Sequence, residues 1–271
     1  MLWPLTAHDN RCLYGVIDGF FALIHPMMQP PLKARFLPAG DTALVVEFGD
    51  TAERALNDRV LALADAITAV GIDGVVEMVP TFRSLMIHYD PSRIGAQALA
   101  RAVSPLIGKA GASSRHGRLW RLPAVYGGEF GPDLPEVAER TGFSEEAVVQ
   151  LHTGVDYHVY TLGFLPGYPY MGDGPEELAL PRRETPRIRV PMGSVCIAFR
   201  QAGVYSLESP GGWHLLGRTP VRLFDPRREN AVLLAPGDKV RFEPIAADAF
   251  RQLEARAASG ELEVKPAEVS A

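Results

Sequence analysis

The sequence YHVYTLGFLPGYPYMGDG (157–174) opens a stretch that continues as LPRRETPRIRVPMGSVCIA (180–198) and QAGVYSLESPGGWHLLGRTPVRLFD (201–225). Its glycines and prolines recur at intervals too irregular for a helix, and each of them bends the backbone or fixes it. Short β-branched or aromatic runs lie between them, at 155–162, 188–190 and 195–199, and such runs are typical of strands. The stretch therefore predicts a closed, heavily turned β structure with a pocket.

Upstream of this stretch, residues 33–117 predict a separate α/β unit. A β-rich run at 42–48 precedes a helix over 51–70, whose apolar face is Leu56, Val60, Leu63, Ile67 and Val70. Gly71 stands where a helix commonly ends. Strands are predicted at 75–79 and 85–89, and a second helix follows Pro91 with Leu99, Val103, Leu106 and Ile107 on its buried side. With a strand at 118–126 the order is β-α-β-β-α-β, as in ferredoxin-like sandwiches.

The second half of the chain begins with two predicted helices, at 133–141 and 144–152. Asp133 and Ser144 are residue types that favour the N-cap position of a helix. A last pair of strands is predicted at 232–234 and 240–242, followed by a helix over 246–258 and a frayed tail from residue 260 to residue 271.

Composition narrows the class of protein. The 271 residues are 47% hydrophobic and 22% charged, a balance that can build a sizeable core. The net charge of −5 offers no basic excess with which to bind nucleic acid. Cys12 and Cys196 are far apart and lie outside any C-x-x-C spacing, which favours a reducing cytoplasm over a disulfide framework.

Residues 1–32 form an N-terminal extension. Its apolar run over 12–28 is interrupted by Asp18 and His25, so it is too short and too polar to cross a bilayer. It also lacks the small-residue cleavage site of a signal peptide. We expect this extension to be disordered or to lie upstream of the true start, at Met27 or Met28; a docked amphipathic helix is the alternative.

Common catalytic motifs are absent from the sequence. There is no P-loop, no G-x-G-x-x-G, no H-E-x-x-H and no G-x-S-x-G. His152, His158 and His214 are not spaced as a metal cluster, and we expect no metal site.

Two candidate anion-binding groups remain. The first is an arginine cluster, whose guanidinium groups suit carboxylate or phosphate; a solvated basic loop is the alternative. Its members are Arg182, Arg183, Arg187 and Arg189. The second is the SPGGW turn at 209–213, where adjacent glycines could let backbone N–H groups line an anion site. An ordinary tight turn with Trp213 in the core is the alternative there.

Two further candidates involve single polar side chains. His152 has Asp156 and Tyr157 nearby in sequence, as a base with its orienting acid would, whereas a histidine at a helix end also serves as a cap. Gln201 and Arg218 flank the glycine turns, where surface hydrogen bonding is an equally good interpretation.

These residues stand in motifs that resemble the family of bacterial 5-oxoprolinase B subunits, the kinase A inhibitor KipI and allophanate hydrolase subunit 1. The resemblance covers about residues 34–244. Several long motifs in one order make it specific: LPAVYGGEFGPDL (122–134), LH (151–152), GFLPGYPYMG (163–172), PRRETPRIRVPMGSV (181–195), QAGVY (201–205) and SPGGWHLLGRTPVRLFDP (209–226).

The resemblance implies an α+β fold class. A ferredoxin-like split βαβ domain at 33–117 would be followed by a cyclophilin-like β-barrel domain at 118–245, then by a C-terminal helix and tail at 246–271. It also implies the B-type component of a multi-subunit ATP-dependent 5-oxoprolinase, inactive alone, that acts with a C-type and an A-type subunit. ATP, with Mg2+ as its counter-ion, would bind in a site shared with a partner.

The resemblance also leaves other functions open. The same scaffold serves a regulatory inhibitor of a sensor histidine kinase, and a subunit of another ATP-dependent amide hydrolase of the allophanate or urea type. A prolyl isomerase would rest on fold analogy alone.

Motif matches carry over an expected site. His152 is the expected catalytic residue, and the expected substrate-binding residues are Arg187, Gln201, Gly211, Gly212, Trp213 and Arg218. On this hypothesis Arg187 and Arg218 hold a carboxylate or phosphate while His152 moves a proton. Three positions depart from the family: Cys196 and Phe199 stand where glycine is usual, and Ser206 where proline is usual. We expect these departures to reshape the mouth of the pocket.

Overall fold

The computed structural model describes residues 34–107 and 117–267. The predictions for the extension at 1–32, for the polar break at 108–116 and for the last residues of the tail lie outside these ranges. Within them, none of the helices combines the length and the apolar character needed to span a membrane. The predicted division of the chain into domains stays a prediction.

The first described part, 34–107, is a four-stranded antiparallel sheet with two helices. Its elements are β1 (Arg35–Pro38), β2 (Ala43–Glu47), α1 (Arg54–Val70), β3 (Val75–Pro80), β4 (Ser84–Tyr89) and α2 (Ala96–Ile107). The strand order is β1-β2-β4-β3. The predicted apolar face of α1 is buried except for Val70, which is 60% exposed at the helix end. Gly71 ends the helix in the left-handed conformation, with φ of 64°.

The predicted ferredoxin-like order is wrong in one respect, because its last strand does not belong to the first sheet. The strand predicted at 118–126 exists, but it belongs to the barrel, because its alternate residues Trp120, Leu122 and Ala124 are buried in the barrel core. The edge of the first sheet beside β2 is occupied instead by β1, which the hydrophobic pattern did not indicate. The α+β class with a closed barrel is confirmed.

The second described part, 117–267, is built around a closed seven-stranded barrel in the order β10-β7-β6-β13-β5-β12-β9. In chain order the elements are β5 (Leu119–Tyr126), α3 (Leu134–Thr141), α4 (Glu145–Thr153), β6 (Tyr157–Leu162), β7 (Pro169–Gly172), β8 (Arg187–Val190), β9 (Ser194–Ala198), β10 (Gln201–Val204), β11 (Ser209–Gly211), β12 (His214–Arg218), β13 (Lys239–Pro244) and α5 (Ala247–Ser259). Strands β8 and β11 pair with each other outside the barrel. The strand predicted at 232–234 is a single bridge between Phe224 and Val232.

Alternation along the barrel strands produces two buried layers. Val195 and Ile197 of β9 point into the barrel core, whereas Cys196 and Ala198 belong to a separate cluster on the outer side. The hairpin of β8 and β11 contributes to this outer cluster through Val190. The fold therefore has a covered outer face on strands β9, β10 and β12.

Candidate functional site

The outer face of the barrel is rich in aromatic side chains. Tyr168, Tyr205 and Trp213 are buried there, and Tyr170 is half-buried beside them. The ring of Tyr168 meets the rings of Tyr205 and Trp213 edge-on, with centroids 5.3 and 6.3 Å apart. Tyr170 meets Trp213 in the same manner at 6.0 Å. Edge-on packing of this kind adds stability beyond the buried area, so the rings form a well-defined surface.

Two phenylalanines at the rim of this face have unusual backbones. Phe164 has φ of 66° and is 60% exposed, and Phe199 has φ of 54° and is 54% exposed. Bulky side chains rarely adopt the left-handed region, and residues strained in this way concentrate at binding and catalytic sites. The ring of Phe164 packs edge-on against Tyr168 at 5.6 Å.

Arg182 lies over the aromatic face. The preceding carbonyl, of Pro181, accepts a hydrogen bond of 2.9 Å from Nε2 of the buried His214. The following N–H, of Arg183, donates to the carbonyl of Gly212 at 2.8 Å. These two bonds bring the guanidinium carbon of Arg182 to 5.7 Å from the centre of the Trp213 ring, a distance at which cation and ring attract.

The charge of Arg182 remains available on this face. Burial raises the pKa of Tyr170, and the nearby Arg182 opposes that rise. In the part of the chain that the structure describes, no carboxylate forms an ion pair with Arg182. The face therefore combines a cation with exposed and half-buried rings, which suits a small planar anion.

The other members of the arginine cluster are paired with carboxylates of the chain itself. Arg187 donates from both terminal nitrogens to Asp133, at 2.8 and 2.5 Å, and Arg183 donates to the same carboxylate at 2.9 Å. Arg189 pairs with Glu208 at 2.7 Å. The predicted cluster is therefore distributed over several intramolecular partners.

The prediction that Asp133 is the N-cap residue of helix α3 is right for its position but not for its side chain. The residue occupies the N-cap position, but its side chain does not accept from its own helix. Instead the carboxylate, 2% exposed, accepts from the N–H of Leu215 at 2.7 Å and from the two arginines. A buried carboxylate needs a positive partner. The two guanidinium groups therefore bind it in preference to the backbone N–H groups at the helix end. The prediction for Ser144 is confirmed, since its hydroxyl accepts from the N–H of Ala147 at 3.2 Å.

The glycine turn before Trp213 is closely packed, and the anion site predicted there stays a prediction. Neither Gly211 nor Gly212 has a positive φ. A Cβ at Gly211 would lie 1.9 Å from the hydroxyl of Tyr205, so the absence of a side chain there is a packing requirement. Trp213 is 5% exposed, in agreement with the alternative of a turn that delivers Trp213 into a core.

His152 lies inside the protein, away from the aromatic face. It is 0% exposed, and its ring packs against Tyr157 and Phe242 at 5.2 and 4.9 Å. Burial lowers the pKa of His152 to about 3, so the ring is neutral at pH 7. Asp156, the expected orienting acid, pairs with Arg241 at 2.7 Å. In this conformation His152 has no surface from which to reach a substrate, and its catalytic role stays a prediction.

Gln201 and Arg218 are separated by the fold. Gln201 begins β10 opposite Ala198 and next to the exposed turn of Phe199, so it lies at the edge of the aromatic face. Arg218 ends β12 and donates from Nε to the carbonyl of Met192 at 2.9 Å, with Glu254 at 3.3 Å. The structure thus brings Arg187, Gln201, Gly211, Gly212 and Trp213 to the outer face or its hairpin, and leaves His152 and Arg218 elsewhere. Their functional roles stay predictions.

Sequence reasoning missed most of the aromatic face. The sequence pattern pointed to Arg182 only as one member of the arginine cluster. It did not point to Phe164, Tyr168, Tyr170 or Tyr205. The alternation Tyr168, Pro169, Tyr170 within GFLPGYPYMG was a usable signal, because alternate residues of a strand share a face. Two clefts in the described part of the chain have volumes of about 700 and 520 Å³, and no predicted site residue lines either of them.

Comparison with known proteins shows the family. The model for the carboxyltransferase domain, subdomain C and D, matches residues 34–234. The chain is 43% identical over 213 residues to the 5-oxoprolinase B subunit of Escherichia coli O157:H7, and the match covers 78% of this chain and 96% of that protein.

Solved structures share the fold of this chain. The chain is 40% identical to TTHA0988, with a TM-score of 0.68 over 76% of this chain, and it spans only 40% of that longer chain. The urea amidolyase of K. lactis has a TM-score of 0.73 over 89% of this chain and 16% of its own, but at 20% identity that likeness concerns the fold alone. The chain therefore belongs to the family of the carboxyltransferase domain, subdomain C and D, and it is a relative of the 5-oxoprolinase B subunits.

Proposed function

We propose that this chain is the B-type component of a multi-subunit, ATP-dependent 5-oxoprolinase, which opens 5-oxo-L-proline with water to give L-glutamate. The observation that carries the proposal is the identity of 43% with a protein of that name, over 96% of that protein's length. We propose that it acts together with a C-type and an A-type subunit and has no activity alone.

The longer relatives support a role within a larger assembly. In TTHA0988 and in the K. lactis urea amidolyase, the part that matches this chain is only 40% and 16% of the polypeptide. The same fold is therefore joined to further polypeptide in those proteins. A separate chain of this fold would meet its counterpart as a partner subunit.

The chemistry explains why such a reaction needs ATP. A five-membered lactam is stabilised by amide resonance, and its amine is a poor leaving group. Transfer of the γ-phosphoryl group from ATP to the amide oxygen would release ADP and make the ring carbon electrophilic. Addition of water to that carbon, loss of phosphate and cleavage of the C–N bond would then give L-glutamate. In residues 34–107 and 117–267, no group of three or more His, Cys, Asp or Glu side chains is placed to hold a metal ion. Mg2+ that accompanies ATP takes most of its ligands from the phosphates and from water, so we propose that it binds with ATP in a site that this chain shares with its partner.

The aromatic face would bind the substrate in this proposal. 5-Oxoproline is a small, flat ring with one carboxylate, so its ring suits the half-buried edge of Tyr170 and the exposed Phe164, and its carboxylate suits Arg182. Arg187 is engaged by Asp133 in this conformation. We propose that its main contribution is to hold Asp133, and through it the N–H of Leu215, beside Trp213.

The first experiment measures ATP-dependent release of glutamate from 5-oxoproline. This chain is co-expressed with its C-type and A-type partners, and each of the three is omitted in turn. Activity that requires all three supports the proposal. A well-formed complex that releases no glutamate overturns it, and turnover of allophanate or urea, or stoichiometric inhibition of a sensor histidine kinase, would then identify one of the alternative functions.

Variants of the active complex test the aromatic face. Arg182→Gln removes the cation that lies over Trp213, and we expect kcat/KM to fall at least tenfold, chiefly through KM. The matched control is Arg101→Gln, an exposed arginine on α2. Equal kcat/KM for the two variants would show that the substrate binds elsewhere. Arg187→Ala and His152→Ala, in turn, test the two roles predicted from the sequence.

A further inference from the structure

A cleft of about 700 Å³ lies between the chain after β12, the end of helix α5 and the tail that follows it. Its floor is apolar and includes Val221, Leu234 and Leu262. The volume falls within the range of small-molecule sites. This cleft does not include the aromatic face, and none of the residues expected from the family motifs lines it.

The loop that forms one wall of the cleft is held rigidly. The buried carboxylate of Asp225 accepts from Nε and from a terminal nitrogen of Arg227, at 2.9 and 2.7 Å. The same guanidinium donates to the carbonyls of Ala257 and Ala258 at the end of α5, at 3.1 and 2.9 Å. Arg227 thus ties the loop to a helix C-terminus, where a cation is favoured. The wall is pre-formed, which lowers the cost of binding a ligand.

Two arginines on this wall have no partner carboxylate among the residues that the structure describes. Arg222 and Arg228 both line the cleft and are half-buried, and neither forms an ion pair within the described ranges 34–107 and 117–267. A terminal nitrogen of Arg228 donates to the carbonyl of Arg222, which holds the two residues together. Burial lowers the pKa of Arg228, the adjacent Asp225 opposes that effect, and the charges of Arg227 and Arg222 add to it.

The remaining charges around the cleft are already balanced. Arg118 pairs with Asp238 at 2.7 Å, and Asp225 pairs with Arg227. Glu263 lies at the rim, where its carboxylate is 75% exposed and pairs with Lys265 at 3.1 Å. The uncompensated charge of the wall is therefore that of two neighbouring guanidinium groups. Two such groups match the charge of a phosphate monoester, which is close to −2 at pH 7, better than that of a single carboxylate.

We propose that this cleft binds a small molecule that carries a phosphate group. Arg222 and Arg228 hold the phosphate, and the apolar floor receives the uncharged part of the molecule. The inference does not rest on the function proposed above, because binding to this chain is measured without turnover. A nucleotide and a phosphorylated metabolite share this chemistry, and the choice of probes separates them.

The test is calorimetric titration of the purified full chain with pyrophosphate, ATP and ribose 5-phosphate, each at low salt. Binding of ATP alone identifies a nucleotide site, and binding of pyrophosphate or ribose 5-phosphate identifies a site for phosphate as such. We expect the double variant Arg222→Gln with Arg228→Gln to weaken binding at least tenfold. The control pair, Arg101→Gln with Arg140→Gln, makes the same change in net charge on exposed helix surfaces and should leave the affinity unaltered.

Thermal unfolding establishes that each variant is folded. If the double variant does not fold, the single variants Arg222→Gln and Arg228→Gln decide, and each is expected to weaken binding at least threefold. Failure of the wild-type chain to bind any of the probes would overturn the proposal. So would a loss of affinity in the control pair as large as that in the cleft variants, because binding would then depend on net charge and not on the cleft.

Discussion

Asn57 of helix α1 and His158 of strand β6 are joined by a hydrogen bond of 2.8 Å, 101 positions apart in the sequence. Asn57 is 0% exposed, and its amide nitrogen donates to the carbonyls of Thr81 and Tyr160 at 2.8 and 3.1 Å. A single buried amide therefore connects the first sheet and its helix to the barrel, with both of its polar atoms satisfied.

Asn57→Ala should lower the free energy of unfolding by about 2–4 kcal/mol, because it leaves the Nε2 of His158 and two carbonyls without their partner in the interior. Urea unfolding measures the change. Thr68→Ala is the control, since its hydroxyl bonds only to the carbonyl of Ala64 in the same helix, and we expect about 0.5 kcal/mol or less. Equal losses for the two variants would contradict the bridging role of Asn57.

Stability should fall as the pH drops below about 6.5. Burial lowers the pKa of His158 to about 4 and that of His152 to about 3, whereas both titrate near 6.5 in the unfolded chain. The unfolded chain therefore binds more protons between pH 6.5 and these lower values, and acid favours unfolding in that window.

Between pH 6.5 and pH 5, protonation of each of these histidines in the unfolded chain should lower the free energy of unfolding by about 2 kcal/mol or less. Urea unfolding at pH 7.5, 6 and 5 measures the slope, and His158→Gln should reduce it. The range above pH 5 avoids most of the titration of the carboxylates. A free energy of unfolding that is the same at pH 7.5 and pH 5 would show that these histidines can be protonated in the folded protein.

Asp133→Asn should lower the free energy of unfolding by about 3 kcal/mol or more, because the guanidinium groups of Arg187 and Arg183 would lose their buried counter-charge. Glu136→Gln is the matched control. Its carboxylate also contacts Arg183, at 2.8 Å, but is 42% exposed, and an exposed pair contributes about 1 kcal/mol or less. Chemical unfolding of both variants compares them, and a loss in the control as large as in Asp133→Asn would refute the central role of Asp133.

Gly211→Ala should destabilise the chain by about 1–3 kcal/mol, since the new methyl group would overlap the side chain of Tyr205. Gly212→Ala serves as the comparison, because its methyl group would meet Pro186 at an ordinary 3.5 Å. Thermal or urea unfolding distinguishes the two. If Gly212→Ala proves the more harmful change, the packing explanation for this turn fails.

Phe199→Gly should be more stable than Phe199→Ala by about 1 kcal/mol. Both changes remove the exposed ring, but only glycine accepts the φ of 54° without strain. Urea unfolding measures the difference. Equal stability would mean that the turn between β9 and β10 relaxes to another conformation when the ring is removed.

Much of the local structure could be predicted from the sequence. The apolar spacing of α1, its end at Gly71 and the capping of α4 by Ser144 all depend on residues within a few positions of each other. Turn residues and β-branched runs in the second half predicted the closed β structure, because such residues act locally. The long motifs there carried the resemblance to the family.

Pairing between distant residues was decided only by the tertiary structure. Strand β5 could pair with either sheet by its own pattern, and it lies beside β13, with Leu119 opposite Lys239. Asp133 is a residue type that commonly caps helices, yet its carboxylate accepts a hydrogen bond from Arg187, 54 positions away. The glycines at 211 and 212 suggest a ligand-binding turn from the sequence. The structure shows that Tyr205 packs against Gly211 and leaves no space for a side chain there.

For this protein, then, the sequence alone determined the family, the class of fold and most of the helices and strands. The tertiary structure decided which strand closes the barrel and which arginines are neutralised by the chain itself. It also decided where charge lacks a partner among residues 34–107 and 117–267, at Arg182 and in the cleft with Arg222 and Arg228. The physical reason is that periodicity and turn preference act over a few residues. Whether a charged side chain is paired depends instead on residues that are distant in sequence and that folding places beside it.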